Sequence, residues 1–183
     1  MENIRKFGTL MLHGAPMPVP QKPFYRGDVI GFNGTDFEIG DTVEGKELTW
    51  LRLGNLWVCD RNILAGVSWD TLNVKGYVFG KEVTIDGHKY KLRCLTGSDG
   101  SEGSYGKGCD NEWDKLMDEY NEDNDLLHYD DMYTICQETN CDYSGCRSLR
   151  GCSSARSCSD SGATSTGTSV AFRPALEELN PAD

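Results

Sequence analysis

Apolar and polar residues alternate in short runs along the first half of the chain, and each run ends at a turn signal. Three pairs of runs flank a two-residue turn: 28–32 and 36–39 around Asn33-Gly34, 47–53 and 56–59 around Gly54-Asn55, and 81–85 and 88–95 around Asp86-Gly87. Because such dipeptides suit the tight turns that join antiparallel strands, the pattern predicts three β-hairpins.

The spacing of apolar residues changes after residue 110. Four of them recur at the spacing of one helix face: Trp113, Leu116, Met117 and Tyr120. This spacing predicts a helix capped near Asp110 or Asn111, with four acidic side chains on a solvated opposite face: Asp114, Asp118, Glu119 and Glu122. A second, shorter helix is predicted over residues 131–138, and the apolar residues 170–179 are predicted to rejoin the sheet. Strands and helices without a βαβ rhythm predict an α+β domain with short antiparallel strands and two helices.

The prolines divide the chain. Four of the six lie within residues 1–27, which are therefore predicted to form an extended arm. We expect residues 1–45 to comprise this Pro-rich arm and the first hairpin, and residues 46–183 to form the folded domain. A chain of 183 residues has room for one domain with a sizeable core.

Charge and hydropathy exclude several classes of function. The net charge is −11, and residues 99–142 hold 14 acidic residues against Lys107 and Lys115, so we expect no nucleic-acid partner. No apolar run approaches the roughly 18 residues of a membrane helix, so we expect no membrane insertion. The N-terminal residues do not form the apolar core of a signal peptide, which predicts a protein made in the cytoplasm.

Residues 140–169 do not have the composition of a protein core. Leu149 is their only aliphatic residue larger than Ala, and Ser, Gly, Cys and Thr account for most of the others. Alone, such a stretch would be a flexible linker. Apolar residues follow at once, however, and a long unstructured loop inside a compact domain is uncommon unless it has a function.

The residue types absent from residues 140–169 include five of particular interest: Lys, Glu, Gln, Met and Trp. They make up about a fifth of the rest of the chain, so chance would leave thirty positions without them about once in a thousand draws. None of the five can be encoded with a pyrimidine in the third codon position, whereas every type present can. The bias favours mutation at pyrimidine-ending codons, although a Ser/Gly linker would also lack these types.

The arginines of this stretch and the residues after it resemble a known family. The motifs are Arg150-Gly151-Cys152-Ser153, Ala155-Arg156, and Val170-Ala171-Phe172-Arg173-Pro174-Ala175-Leu176-Glu177. They resemble the end of C-type-lectin-fold domains of the formylglycine-generating-enzyme-like branch, which commonly runs Arg-Gly-Gly-Ser, Ala-Arg and Gly-Phe-Arg. They are also similar to phage and bacterial proteins of that branch whose C-terminal region is diversified by retroelements. Such elements randomise adenines, typically in AAY codons, and their products exclude Lys, Glu, Gln, Met and Trp.

The resemblance implies a C-type-lectin-like fold over residues 46–183, with a variable surface at about residues 140–169. Cys152 and Ala171 stand where the family often has Gly. The resemblance implies a scaffold role for four residues: Arg150, Arg156, Phe172 and Arg173. The side chains that it implies for ligand binding are Cys141, Tyr143, Cys146, Leu149, Cys152, Ser153, Ser157, Cys158, Asp160, Gly162, Thr164 and Gly167.

The function that follows from this resemblance is ligand or receptor binding without catalysis, by a hypervariable protein of phage or prophage origin. We expect no catalytic residue, no metal and no cofactor. The expected partner is a protein or a glycan, such as one on a cell surface, and the protein is expected to be associated with the virion. Oligomers would add avidity where a single site binds weakly.

Two other classes of function remain open. In a copper oxidase of the formylglycine-generating type, Cys152 and Cys158 would bind Cu(I), which prefers soft thiolates. In a structural phage protein, the acidic helices would pack on a partner and the Ser/Gly-rich stretch would be a linker. Zinc binding and disulfides remain alternatives to free thiols for the late cysteines, although no C-x-x-C occurs. The acidic residues 118–125 could bind calcium but lack the EF-hand spacing.

Overall fold

The computed structural model describes residues 3–19, 30–31, 36–98, 110–130, 132–139 and 144–179. Within these residues the chain forms the following elements: β1 (Ile4–Phe7), β2 (Thr9–Leu12), β3 (Ala15–Pro16), β4 (Ile30–Gly31), β5 (Phe37–Gly40), β6 (Leu48–Leu53), β7 (Leu56–Cys59), β8 (Leu64–Ala65), α1 (Trp69–Val74), β9 (Lys81–Ile85), β10 (His88–Arg93), α2 (Glu112–Glu119), α3 (Asn124–Leu127), β11 (Tyr133–Thr139), β12 (Cys146–Gly151), β13 (Cys158–Gly162), β14 (Val170–Phe172) and β15 (Ala175–Glu178).

The strands form two six-stranded sheets and one three-stranded sheet. The first sheet has the order β1-β6-β7-β15-β10-β9 and is antiparallel throughout. The second has the order β13-β12-β11-β14-β8-β4, with parallel pairs only at β11–β14 and β4–β8. The third, β3-β2-β5, continues from the first at Gly8, where the chain bends between β1 and β2. The protein is thus α+β with mostly antiparallel sheets, as predicted.

The first sheet is covered on both faces. Trp50 and Trp57 point into the main core, which also takes in the inner face of the second sheet. On the opposite face Leu51 and Val58 pack with α2, whose Trp113 is fully buried. The alternation of inner and outer residues along β6 and β7 is that of a sheet buried on both sides.

The helices of the described residues are short. The longest, α2, has eight residues, and none is long and apolar enough to cross a membrane.

Two of the predicted hairpins, the first helix and the apolar tail are confirmed. β6 pairs with β7 across Gly54-Asn55, and β9 pairs with β10 across Asp86-Gly87. The helix α2 begins after its cap Asn111, whose side chain accepts from the Asp114 N–H. The tail returns as β14 in the second sheet and β15 in the first.

The prediction of a helix over residues 131–138 is wrong, because most of this segment belongs to strand β11. Thr134, Ile135 and Cys136 are buried in succession, since β11 is an inner strand covered on both faces. A short run that is apolar throughout fits either a helix or a buried strand. The described residues contain three helices rather than the predicted two, since α1 and α3 were not foreseen.

The first predicted hairpin is also wrong. β4 pairs with β8 in the second sheet, whereas β5 pairs with β2 in the third, so the two strands lie in different sheets. The predicted turn Asn33-Gly34 lies outside the described residues. A local turn signal was outweighed here by pairing with strands distant in sequence.

The N-terminal residues enter the fold across the predicted boundary at residue 45. β1 pairs with β6, matching Ile4 with Leu51 and Phe7 with Leu48. Phe7 and Leu10 belong to the main core. Of the predicted arm, residues 1–2 and 20–27 lie outside the described part of the chain.

Candidate functional site

The stretch 140–169 contains a hairpin at the edge of the second sheet, formed by β12 and β13. Paired residues of an antiparallel sheet share a face, and three pairs lie on one face: Cys146 with Gly162, Ser148 with Asp160, and Arg150 with Cys158. Arg147 and Leu149 lie on the opposite face. Since β13 ends the strand order, the hairpin forms an edge of the described sheet.

Most of the predicted ligand-facing residues that the structure describes are at least partly accessible. Four are exposed: Ser153, Gly162, Thr164 and Gly167. Five are half-buried: Cys146, Cys152, Ser157, Cys158 and Asp160. Cys141 and Tyr143 lie outside the described residues. The accessible side chains are small, so different ones could replace them without displacing a core residue.

Leu149 was predicted to face a ligand, but the structure buries it instead. Its side chain is 3% exposed and belongs to the main core. It pairs with Ile135 of the neighbouring strand β11, on the face of the sheet that points inward. As the only large aliphatic residue of the stretch, Leu149 fastens the hairpin to the core.

A buried ion pair fastens the same hairpin to helix α2. Arg150 is 1% exposed, and its Nη2 donates to Oδ1 of Asp114, which is itself buried. The other oxygen, Asp114 Oδ2, accepts from the helix-capping side chain of Asn111 at 2.7 Å. A buried charge is tolerated when it is paired and hydrogen-bonded, so each partner of this pair depends on the other.

Arg156 binds three carboxylates on one side of α2 and its C-terminal extension. Its guanidinium donates to Asp114 at 3.1 Å, to Asp118, and to Glu122 at 2.7 Å. Although partial burial alone would lower the pKa of Arg156, these hydrogen bonds raise it above its ordinary value. The predicted solvated acidic face is therefore wrong in part, because Asp114 is buried and this row of acids holds the loop after β12.

Two left-handed residues turn the chain from β12 into that loop. Gly151 has φ 85° and Cys152 has φ 84°. A Cβ on Gly151 would come within 3.2 Å of the Trp113 ring and 3.1 Å of the Tyr129 carbonyl oxygen. Gly151 is thus required by both conformation and space, while Cys152 adopts a backbone conformation that favours glycine.

The other two predicted scaffold residues are both buried, Phe172 in the main core and Arg173 against Trp113 on the side of α2. Phe172 is 1% exposed, and its ring centroid lies 6.3 Å from those of Phe37 and Tyr77. Arg173 is fully buried, donates to the His128 carbonyl oxygen at 2.9 Å, and lies 5.3 Å from the centroid of the Trp113 ring. Together they occupy the point where the chain passes from the second sheet into the first.

Sequence reasoning missed the partners of these arginines. The i, i+4 spacing of Asp114 and Asp118 places them on one side of α2, with Glu122 just beyond its end, and four late arginines needed counter-charges. That combination was a usable signal. The stacking of Arg147 over Trp69, 4.3 Å from the ring centroid, was also not predicted, and the sequence carries no signal for it.

The cysteines fall into two groups. Cys59, Cys94 and Cys136 are fully buried, and burial raises the pKa of all three thiols, that of Cys59 to about 12. Cys146, Cys152 and Cys158 are half-buried on or beside the hairpin. No cluster of three or more His, Cys, Asp or Glu side chains suited to a metal ion occurs within the described ranges.

Comparison with protein-family models, with curated proteins and with solved structures found no match to this chain. Its function has therefore to be inferred from its own residues and their geometry.

Proposed function

We propose that the protein is a non-enzymatic binding protein with a C-type-lectin-like fold, whose ligand-binding surface is displayed by the β12–β13 hairpin and the loops at residues 152–157 and 163–169. The ligand is another macromolecule, a protein or a glycan on a cell surface. We further propose that this surface is diversified by a retroelement and that the protein is encoded by a phage or prophage.

One observation carries the proposal: accessible small side chains alternate with deeply anchored ones inside a single stretch of unusual composition. Leu149 and Arg150 are buried, and Arg156 is held by three carboxylates. Between and beyond them, Ser153, Thr164 and Gly167 are exposed. Because these buried and paired residues hold the backbone in place, the exposed side chains can change without unfolding the protein. A variable binding surface requires this property.

The backbone at Cys152 supports the resemblance. The family commonly has two successive glycines at positions corresponding to Gly151 and Cys152, and both residues here have a positive φ. A turn built for glycine would be expected at this place in a C-type-lectin-like domain of this branch. Cys152 is then a substituted position in a turn that retains its glycine conformation.

The first experiment is deep sequencing of codons 140–169 in a population that carries the gene. We expect substitutions at pyrimidine-ending codons of accessible positions such as Ser153 and Thr164. We expect none at codons for Arg150, Arg156, Phe172 and Arg173. Codons 110–139 of the same reads are the control for background mutation. If codons 140–169 vary no more than codons 110–139, the proposal that a retroelement diversifies this surface is wrong.

A second experiment separates a displayed surface from a linker. Trypsin cuts a flexible linker readily after arginine, so rapid cleavage after Arg147 or Arg156 in the native protein would contradict the proposal. We expect both bonds to resist until the protein unfolds, because Arg147 stacks on Trp69 and Arg156 is bound to α2. The same protein in urea, where both bonds should be cut, provides the reference.

A further inference from the structure

Arg173 lies where the chain crosses from β14 in the second sheet to β15 in the first. The carbonyl groups on either side of it accept from the main-chain N–H groups of Cys59 and Ile63, at 3.0 and 2.9 Å. These two hydrogen bonds hold residues 60–62 opposite Arg173. The segments therefore face each other inside the protein.

Three buried N–H donors of these facing segments lack an acceptor. Arg173 is 0% exposed, and while its Nη2 donates to the His128 carbonyl, its Nε and Nη1 have no hydrogen-bond partner within the described ranges. Asn62 is also 0% exposed: its Oδ1 accepts from Thr134 Oγ1 at 3.0 Å, but its Nδ2 has no partner there either. Buried donors are nearly always satisfied in native proteins, so three together indicate an acceptor other than these side chains.

The local charge is also out of balance. Asp60 is the neighbouring buried carboxylate, and both of its oxygens accept from Arg61, at 2.8 and 2.6 Å. Burial lowers the pKa of His128, which leaves it neutral, and burial raises the pKa of the Cys59 thiol to about 12. Within the described residues Arg173 forms no salt bridge, because the carboxylate of Asp60 is already bound by Arg61. Removing an uncompensated charge from water is costly.

We propose that Arg173 and Asn62 bind a small monovalent anion of the halide class, chloride under ordinary conditions, in the protein interior on the side of Trp113 and His128. One such ion supplies both the acceptor for the three donors and the missing negative charge. Asn62 and Arg173 are fully buried and Asp60 is 3% exposed, which favours an ion small enough to be enclosed. This site is separate from the proposed binding surface and does not depend on it.

Thermal unfolding of the full chain in sodium chloride and in sodium gluconate of equal ionic strength tests the proposal. Because the ion binds only the folded state, we expect Tm to rise by about 3–5 °C for each tenfold increase in chloride above its Kd, and to remain level in gluconate. Sodium bromide should act like chloride. Equal Tm values in chloride and gluconate would overturn the proposal.

Substitution of Asn62 locates the effect. Asn62→Asp places a carboxylate of nearly the same size beside Arg173, so we expect the chloride dependence of Tm to disappear. Asn55→Asp makes the same chemical change in an exposed turn and should retain the full dependence. If Asn62→Asp retains it as well, the ion is not bound by these donors.

A direct observation decides the question even if Asn62→Asp does not fold. Crystals of the unaltered protein grown in sodium bromide should give an anomalous peak within hydrogen-bonding distance of Arg173 Nε and Nη1. An ordered water at that position, with no anomalous signal, would show that water satisfies the donors and would overturn the proposal.

Discussion

The two ends of the β12–β13 hairpin have similar composition and opposite structural roles. At one end, Arg150 is buried against Asp114 and the following loop is held by Arg156. At the other, Gly162 and Thr164 are exposed and Asp160 is half-buried. Tolerance to substitution within the stretch is thus set by what each side chain contacts, and not by the composition of the stretch. Substitutions at the two ends should therefore differ sharply in cost.

The largest effect is expected at Arg150. Arg150→Met removes a buried guanidinium and leaves the Asp114 carboxylate buried with less compensation, so the free energy of unfolding should fall by about 3 kcal/mol. Arg147→Met, on the same strand but on its other face, should cost only about 1 kcal/mol, through lost stacking on Trp69. Urea unfolding of both variants measures the difference. Equal losses would contradict the distinction between the two faces.

A smaller loss is expected at Arg156, which is partly exposed. Arg156→Ala leaves Asp114, Asp118 and Glu122 as a row of like charges, and should lower the free energy of unfolding by about 1–2 kcal/mol at low salt. The loss should shrink in 0.5 M sodium chloride, because exposed ion pairs are screened. Since chloride itself can stabilise the protein, sodium gluconate should be used in parallel. A loss that does not depend on salt would show that packing, not charge, holds this loop.

Acid should weaken the start of the same helix. Burial alone would raise the pKa of Glu112, but hydrogen bonds from Arg93, at 2.6 and 2.7 Å, and from the Thr96 N–H hold it below its ordinary value of 4.5. The stability from this group is therefore complete above pH 4.5 and is lost as the pH falls through the lower folded-state pKa.

Glu112→Gln should accordingly lower the free energy of unfolding by about 1 kcal/mol at pH 7. The difference from the unaltered protein should close as the pH drops below 4.5. Chemical unfolding at several pH values measures both. If the difference stayed constant down to pH 3, the ionised carboxylate would not be the stabilising group.

The smallest effects are expected at exposed side chains, whichever end of the hairpin they lie at. Ser153→Ala and Thr164→Ala should each change the free energy of unfolding by less than about 0.5 kcal/mol, because neither side chain is part of the core. They should instead change ligand binding once a ligand is found. If either substitution lowered the free energy of unfolding by several kcal/mol, these side chains would be needed for folding and could not vary freely.

Structural features set by residues close in sequence could be predicted, whereas features set by contacts between distant segments could not. The cap at Asn111, the apolar face of α2 and the Asp86-Gly87 hairpin are set by neighbours in sequence, and all three were predicted. Strand β11 was not, because burial on both faces removes the alternation that marks a strand.

The candidate site divides in the same way. Its small, polar character and its arginine motifs are visible in the sequence. The burial of Leu149 and the capture of Arg156 by Asp114 are not, since each depends on a segment from another part of the chain. A lone leucine among serines gives no sign of which way it points until the pairing of β12 with β11 is known.

The position of β15 has a consequence for synthesis. This strand, Ala175–Glu178, lies between β7 and β10 in the first sheet, although both of those strands precede α2 in sequence. The central pairing of that sheet therefore cannot form until the chain has been synthesised through residue 178. Any chain that ends within the stretch 140–169, through a stop codon or a frameshift, lacks the strand that joins the two halves of the sheet. Translation products with such errors would lack a complete first sheet and would be open to proteolysis.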